Sequence, residues 1–332
     1  MLKTGSLFLV AAAIAGAAWK EDLLEAEVRL KGALRELEQL AGPNSLEAAR
    51  VLSNLAALHL SSGKLTEGES VSLRAEGIYE QTAQQGAEHH AERGSNRQIL
   101  ASIYLGQRRF ADADKLLRNM LQDGDDRLAV KTYTNLSVAA IGMGDFVQAE
   151  QYARRSVELA RRTLPPGHPT LAVCFNNLAQ ALRFQARYLE AEGLYREAIA
   201  IWEGSVGPQH PDVARGLMNL AAFYHERGRE AAAEELYGRA SRIFEEELGK
   251  QHPQTLIARN ELADVLRAER RYTESEKLTQ LTLGEMEKTF RADDPRLIRA
   301  LMNYARLLGE TRRREQALAV LKKIPGMQTT YR

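Results

Sequence analysis

The chain contains a single cysteine, Cys174, among its 332 residues. One thiol excludes an intramolecular disulfide, and it also excludes a zinc site built from several cysteines. Cys174 lies in an apolar stretch with helical periodicity. A small buried thiol is therefore its expected role.

Aromatic residues and runs of β-branched residues are also scarce. Aromatics make up 6% of the chain, whereas the strong helix formers Ala, Leu, Glu and Arg are abundant. This composition favours α-helices over a β-sheet. The chain also lacks an excess of one charge, since it has 45 Lys and Arg against 44 Asp and Glu. The net charge therefore gives no reason to expect a nucleic-acid partner.

A long apolar run is found only near the N-terminus, from Leu7 to Trp19. It is shorter than the about 20 residues of a spanning helix. It is typical of a secretory signal peptide with Ala15-Gly16-Ala17 as the cleavage site, which predicts a mature chain beginning near Ala18 or Trp19. Residues 1–19 are thus predicted to be a signal peptide, with a membrane anchor or a packed N-terminal helix as alternatives. Cleavage would place the protein outside the cytoplasm, in the periplasm or secreted.

Sequence motifs of common catalytic sites are missing. The chain has no G-x-x-x-x-G-K-[ST], no G-x-G-x-x-G, no G-x-S-x-G and no C-x-x-C. The pair His89-His90 stands in HHAER, which is not the H-E-x-x-H of zinc proteases. We therefore expect a non-enzymatic protein without cofactor or metal. An enzyme whose site leaves no motif is the alternative.

What the chain does contain is an internal repeat. Related seven-residue segments recur every 42 residues: NNLAQAL at 176–182, MNLAAFY at 218–224, NELADVL at 260–266 and MNYARLL at 302–308. TNLSVAA at 134–140 precedes them by the same 42 residues, and two earlier, less regular copies are QILASIY at 98–104 and SNLAALH at 53–59. A fixed period of this length predicts a repeat architecture.

Each repeat has two amphipathic stretches with the i, i+3, i+4, i+7 pattern of a helix. Gly63, Gly144 and Gly228 stand between the stretches, where a left-handed residue ends a helix. Small residues recur in one column of each stretch, as Ala179 and Ala191 do in the fourth repeat, which predicts close helix crossings. The unit is therefore a helix hairpin, and stacked hairpins form a solenoid with a continuous core.

This pattern resembles the tetratricopeptide repeat. The two small columns, the Leu before the first column and the Tyr four positions after the second carry the resemblance. The 42-residue period, the NLA core and the His-Pro joint are similar to the kinesin-light-chain type of that repeat. The resemblance implies an all-α, right-handed superhelical solenoid of stacked helix hairpins. We expect a capping helix and joint at 20–45, about seven hairpins at 46–323, clearest at 168–311, and a C-terminal tail at 324–332.

The His-Pro and Asp-Pro joints at 168–169, 210–211, 252–253 and 294–295 open the first helix of four hairpins. Proline is tolerated at the first helical position, and it ends the preceding helix. The residue before it can then cap the new helix, as Ser45 would in the first hairpin. Zinc needs its nitrogens at about 2.1 Å from one centre. Histidines one repeat apart cannot share such a site, because a helix layer of about 10 Å separates them.

The first helices of such a solenoid are expected to line its concave side. Asparagine recurs there although it is a mediocre helix former, and its amide suits the backbone of an extended peptide. Kinesin-light-chain-like repeats hold cargo peptides with asparagines at this position, so the resemblance implies the same use. The alternative is a hydrogen-bond ladder between repeats. Cations on the same face predict a mainly basic groove, with a scatter of solvated charges as the alternative. The predicted groove residues are Arg50, Asn54, Lys131, Asn135, Asn177, Arg183, Arg215, Asn219, His225, Arg267, Arg299, Asn303 and Arg306.

The function predicted from the sequence is a scaffold that binds a protein or peptide segment, acidic or extended, in the concave groove. The alternative is an exported accessory subunit of a larger membrane or envelope complex that docks through its outer helices. The membrane would be contacted only through an uncleaved N-terminal segment.

Overall fold

The computed structural model of the protein describes residues 19–84, 89–122 and 126–327. These residues form two compact units, unit 1 at 19–201 and unit 2 at 202–327. The predicted signal peptide or anchor lies outside the described residues except for Trp19. No helix in the described ranges is long and apolar enough to cross a membrane.

The described residues form helices and no strand. The all-α solenoid predicted from the repeat is confirmed. In chain order the helices are α1 (Trp19–Ala41), α2 (Leu46–Ser61), α3 (Leu65–Gln84), α4 (His90–Gly106), α5 (Phe110–Gln122), α6 (Asp126–Met143), α7 (Phe146–Thr163), α8 (Pro169–Phe184), α9 (Tyr188–Val206), α10 (Pro211–Glu226), α11 (Glu230–Leu248), α12 (Pro253–Ala268), α13 (Tyr272–Thr289), α14 (Pro295–Glu310) and α15 (Arg314–Leu321).

From α2 onward the helices pair as hairpins, each with a first helix of even number and a second helix of odd number. The small residues of both columns are buried where the two helices cross, as at Ala179 and Ala233, which have no exposed surface. Where a column carries serine, its hydroxyl spans the crossing. Ser137 Oγ donates to the carbonyl of Ala149 over 2.9 Å, and Ser275 Oγ donates to that of Ala263 over 2.7 Å. The predicted close crossings are confirmed.

The residue before proline caps the helix at each of the four joints. Nδ1 of His168, His210 and His252 accepts a hydrogen bond from the N–H two residues on, over 3.2, 3.1 and 3.2 Å. The Asp294 carboxylate does the same over 2.9 Å, and Ser45 caps α2 over 3.3 Å. The capping role predicted for these residues is confirmed, and each histidine uses Nδ1 as the acceptor. Among the described residues no cluster of three His, Cys, Asp or Glu side chains could hold a metal ion.

A left-handed residue ends the first helix of every described hairpin. The predicted Gly63, Gly144 and Gly228 have φ of 75°, 81° and 67°. The other four hairpins use a side-chain-bearing residue with φ of 61–63°: Arg108, Ala186, Arg270 and Arg312. The repeat geometry therefore imposes the left-handed conformation even without glycine.

Helix α1 covers the first hairpin. Leu23 and Leu30 are buried against Val51, Leu55 and Leu58 of α2. Glu27 of α1, itself nearly buried, receives hydrogen bonds from Lys31 and Lys64 over 2.6 and 2.5 Å. These two bonds lower the pKa of Glu27 to about 2, against the opposing effect of burial. The apolar packing of α1 and the hydrogen bonds of Glu27 thus cover the N-terminal end of the core.

Candidate functional site

The thirteen residues predicted to line the groove all lie on first helices, and we call the set within each unit the first-helix face of that unit. In unit 1 they lie on α2, α6 and α8, and in unit 2 on α10, α12 and α14. Within unit 1, α2 contacts α4, α4 contacts α6 and α6 contacts α8, so these first helices lie side by side. The residues of each unit are described separately below.

On α2 the exposed Arg50 and Asn54 lie one turn apart. The Arg50 guanidinium donates to a Glu92 carboxylate oxygen on α4 over 3.0 Å. The pair is exposed, so it contributes little stability. Both side chains therefore remain open to a ligand.

On α6 the same spacing places Lys131 one turn before Asn135. Lys131 is exposed and has no ion-pair partner in the described parts of the chain. Partial desolvation lowers its pKa, because protein atoms displace some of the water around the ammonium and no described anion offsets this loss. Asn135 Nδ2 donates to Gln98 Oε1 on α4 over 3.0 Å.

Asn177 on α8 differs from the other asparagines because it is buried. Its Nδ2 donates to the main-chain carbonyl of Thr134 on α6 over 3.4 Å, and its Oδ1 accepts from Asn176 over 3.3 Å. Together with Asn135, it forms the ladder between neighbouring repeats that the sequence left as an alternative. Arg183, at the end of α8, lies over the ring of Phe184 at 5.2 Å.

In unit 2 the cations of the first-helix face lie next to carboxylates. On α10, Arg215 forms an ion pair with Asp212, and the partly exposed Asn219 follows one turn later. On α14, Arg299 lies 3.4 Å from Glu261 of α12, and the partly exposed Asn303 follows one turn later.

The most densely charged part of unit 2 surrounds Asp264 of α12. This carboxylate lies 3.4 Å from His225 of α10, 2.7 Å from Arg267 and 3.8 Å from Arg306 of α14. Burial by itself raises the pKa of Asp264, but its hydrogen bonds with His225 and Arg267 outweigh burial and lower that pKa to about 2. Arg267 also reaches Glu310 of α14 over 2.7 Å.

His225 itself bridges two acids. The hydrogen bond with Asp264 is the main cause that raises its pKa to about 9, and Glu230 of α11, 2.5 Å from Nδ1, adds to it. The imidazole is therefore a cation at neutral pH. His225, Arg267 and Arg306 share Asp264 and so form one connected network.

Sequence reasoning identified the cations of the first-helix faces but missed most of their partners. The structure pairs Glu261 and Asp264 with arginines and a histidine. The sequence did contain a signal for two of these carboxylate partners, Glu92 and Glu310. Glu92 follows Arg50 by 42 residues and Glu310 follows Arg267 by 43, so each partner lies on the first helix of the next hairpin.

Comparisons with known proteins agree on the architecture. Residues 128–204, 179–246 and 212–278 match the family model described as "Tetratricopeptide repeat". No curated protein sequence matches the chain significantly.

Three solved structures show the same fold. The kinesin light chain TPR-like repeats of Podosopora anserina are 23% identical, with a TM-score of 0.52, and the match covers 62% of this chain and 96% of that chain. BtubC (BKLC) of P. vanneervenii is 18% identical, with a TM-score of 0.54 and coverage of 68% and 91%. A Rap protein complexed with competence and sporulation factor is 13% identical, with a TM-score of 0.62 and coverage of 91% and 87%.

Proposed function

Since this chain is a tetratricopeptide-repeat protein, we propose that it is a non-enzymatic scaffold whose first-helix faces bind an extended, acidic segment of a partner protein. A repeat solenoid presents its side chains over an extended surface, which suits a linear segment better than a small molecule. The Rap protein of similar fold is complexed with competence and sporulation factor, and this supports a protein or peptide partner.

Lys131 is the observation on which the proposal depends. Its ammonium is exposed, lacks an ion-pair partner in the described residues and has a lowered pKa because protein atoms displace water around it. A carboxylate supplied by a partner would relieve this unfavourable environment through a charge-assisted hydrogen bond. The exposed amide of Asn54 lies one turn beyond Arg50, where it can bond the partner's main chain.

The first-helix face of unit 2 would bind such a segment by exchange of partners. Arg215 and Arg299 already contact Asp212 and Glu261. Both arginines are more than half exposed, so these contacts are weak and an incoming carboxylate can replace them. Asp264 is instead held by three cations, and it should stay in place.

The test compares two extended peptides, one of alternating Glu and Ser and one of alternating Gln and Ser. We expect Lys131→Glu to weaken binding of the Glu peptide about two- to ten-fold and to leave the Gln peptide nearly unchanged. Rising salt should weaken only the Glu peptide, because exposed charges are screened. The matched control is Lys115→Glu, an exposed lysine on the second helix α5. Equal effects of the two charge reversals would contradict the proposal.

We also propose that the protein is exported. The support is the apolar run from Leu7 to Trp19 that ends in the Ala15-Gly16-Ala17 site. Sequencing of the mature N-terminus should give a start near Ala18 or Trp19. Protein that keeps Met1 and sediments with the membrane would instead identify an anchor.

A further inference from the structure

A second surface lies on the outer helices of unit 1, away from the first-helix face. We call it the outer groove. It runs between the second helices α7 and α9, with the first helix α8 beneath, and its volume is about 800 Å³. Phe175, Leu178 and Leu182 of α8 form an apolar floor, and all three are buried.

Gly193 on the wall formed by α9 keeps the groove open. A Cβ atom added to this exposed glycine would meet no heavy atom within 4 Å. The equivalent positions of the six other hairpins carry Ser70, Lys115, Gln151, Glu235, Lys277 and Ala319. A glycine inside a helix is destabilising by about 1 kcal/mol relative to alanine. At this position the glycine leaves open space on the α9 wall of the groove.

An apolar side chain on α9 extends the floor toward solvent. Leu189, on the rim of the groove at the start of α9, is 89% exposed. Burial of so exposed a leucine in a complex would contribute favourable binding free energy.

The two walls carry opposite charges. Arg154 and Arg161 of α7 lie on one side, and Glu190 and Glu197 of α9 lie on the other. Each pair is separated by seven residues, or about 10 Å along its helix. Arg154 pairs with Glu150 over 2.7 Å.

Among these four wall charges, two are not neutralised by the described residues. Glu190 is paired with Arg187, and Glu158, which also lines the α7 wall, is paired with Arg155. Arg161 has only the ring of Phe175 at 5.2 Å, and Glu197 has no ion-pair partner in the described ranges. The groove thus offers one cation and one anion across an apolar floor.

The geometry points to an amphipathic helix of a partner protein as the ligand of the outer groove. We propose that its apolar stripe lies on the floor, with an acidic edge beside Arg161 and a basic edge beside Glu197. Both walls are helices whose own main-chain groups are already bonded, so they cannot pair with an extended strand. A helix satisfies its own main chain, and two of its turns match the length of the groove. This inference stands whether or not the first-helix face binds a peptide.

The first experiment uses three helical peptides with leucines at i, i+4 and i+7. One carries Glu along one edge and Lys along the other, and the two comparison peptides carry Glu on both edges or Lys on both edges. We expect the mixed-edge peptide to bind about two- to five-fold more tightly than either comparison peptide, since each exposed charge pair adds a small factor. Three equal affinities, or no binding, would overturn the assignment.

Variants of the groove then locate the site. Gly193→Gln should fill the open space and weaken the mixed-edge peptide more than about tenfold, with unchanged helix content. Gly204→Gln, on the same helix with equally open space, is the matched control. Leu189→Lys gives a second variant that leaves the core untouched. An affinity insensitive to both Gly193→Gln and Leu189→Lys would exclude the outer groove.

A charge reversal tests the orientation of the edges. Arg161→Glu makes both walls acidic, so the peptide with Lys on both edges should become the tightest ligand. The extended Glu-Ser peptide should not displace the mixed-edge helix from the unaltered protein. Displacement would place the helix on the first-helix face and refute this inference.

Discussion

Nε2 of His225 on α10 lies 3.4 Å from Oδ2 of Asp264 on α12, while Nδ1 lies 2.5 Å from Glu230 on α11. One imidazolium thus connects three helices of unit 2. Its pKa is raised from 6.5 to about 9, first through Asp264 and then through Glu230. The folded protein therefore binds this proton more tightly than the unfolded chain. The resulting stability is fully present below about pH 6.5 and is lost as the pH rises through about 9.

We expect His225→Gln to remove this pH dependence and to destabilise unit 2 by about 1–3 kcal/mol near pH 6. Urea unfolding followed by circular dichroism at about pH 6 and about pH 9.5 measures both effects. Arg267 and Arg306 also face Asp264, so the remaining network should keep the fold intact. His90→Gln, an exposed histidine on α4, is the control and should behave as the wild type. A His225→Gln protein with the wild-type pH dependence would show that this proton is not linked to folding.

At His252 we expect the opposite pH dependence of the stability. Burial lowers its pKa from 6.5 to about 4, and its neutral Nδ1 accepts from the N–H of Gln254 over 3.2 Å. Protonation removes this acceptor, so the contribution is present above about pH 6.5 and is lost as the pH falls toward 4. We expect His252→Ala to cost about 1 kcal/mol at neutral pH. His252→Asp should keep the cap, as Asp294 does.

The measurement is urea unfolding at several values between about pH 7 and about pH 4.5. Carboxylates elsewhere titrate equally in all variants, so the difference between wild type and His252→Asp isolates the cap. The aspartate variant should lose less stability in acid. Parallel curves would contradict the assignment of the acid sensitivity to His252.

The architecture was predictable because the repeat makes each element evident several times. The 42-residue period, the small columns and the proline joints each carry a local physical requirement that the structure meets. Features of single side chains were harder to predict. Asn177 occupies the same column as Asn54, yet one is buried and bonded to Thr134 while the other is exposed. The spacing of residues along one helix does not show how much of a side chain the neighbouring helix covers.

Turn residues show the same limit. Glycine at 63, 144 and 228 correctly predicted a left-handed turn. The same conformation at Arg108, Ala186, Arg270 and Arg312 was not predicted, because residues with a side chain disfavour it. A side-chain-bearing residue in this region costs about 1 kcal/mol or more relative to glycine. We expect Ala186→Gly, at φ of 61°, to stabilise the protein by about 0.5–1 kcal/mol.

The reverse change provides its control. Gly228 has φ of 67°, and a Cβ atom there would meet nothing within 4 Å. Gly228→Ala should therefore destabilise the protein by a similar amount through backbone conformation alone. Thermal unfolding monitored by circular dichroism measures both. A lowered melting temperature for Ala186→Gly would show that unfolded-chain entropy outweighs the backbone strain.

At Gly142, near the end of α6, we expect substitution by alanine to change the stability in the direction opposite to the usual one. Alanine normally stabilises a helix by about 1 kcal/mol relative to glycine. At Gly142 a Cβ atom would lie 2.4 Å from Cδ1 of Phe110, which begins the second helix of the preceding hairpin. The ring lies directly against the glycine backbone, so it must move to admit a methyl group. One repeat later the equivalent contact is made by two stacked rings, Phe184 and Phe146, 4.9 Å apart.

We therefore expect Gly142→Ala to destabilise the protein, since displacement of a packed side chain costs about 1–3 kcal/mol. Gly284→Ala in α13, where the added Cβ has open space, should raise stability instead. Urea unfolding of both variants gives the two signs directly. A double-mutant cycle with Phe110→Ala tests the cause, because the cost of Gly142→Ala should largely vanish once the ring is absent. If that cost stays the same without Phe110, the contact between the ring and the glycine is not its origin.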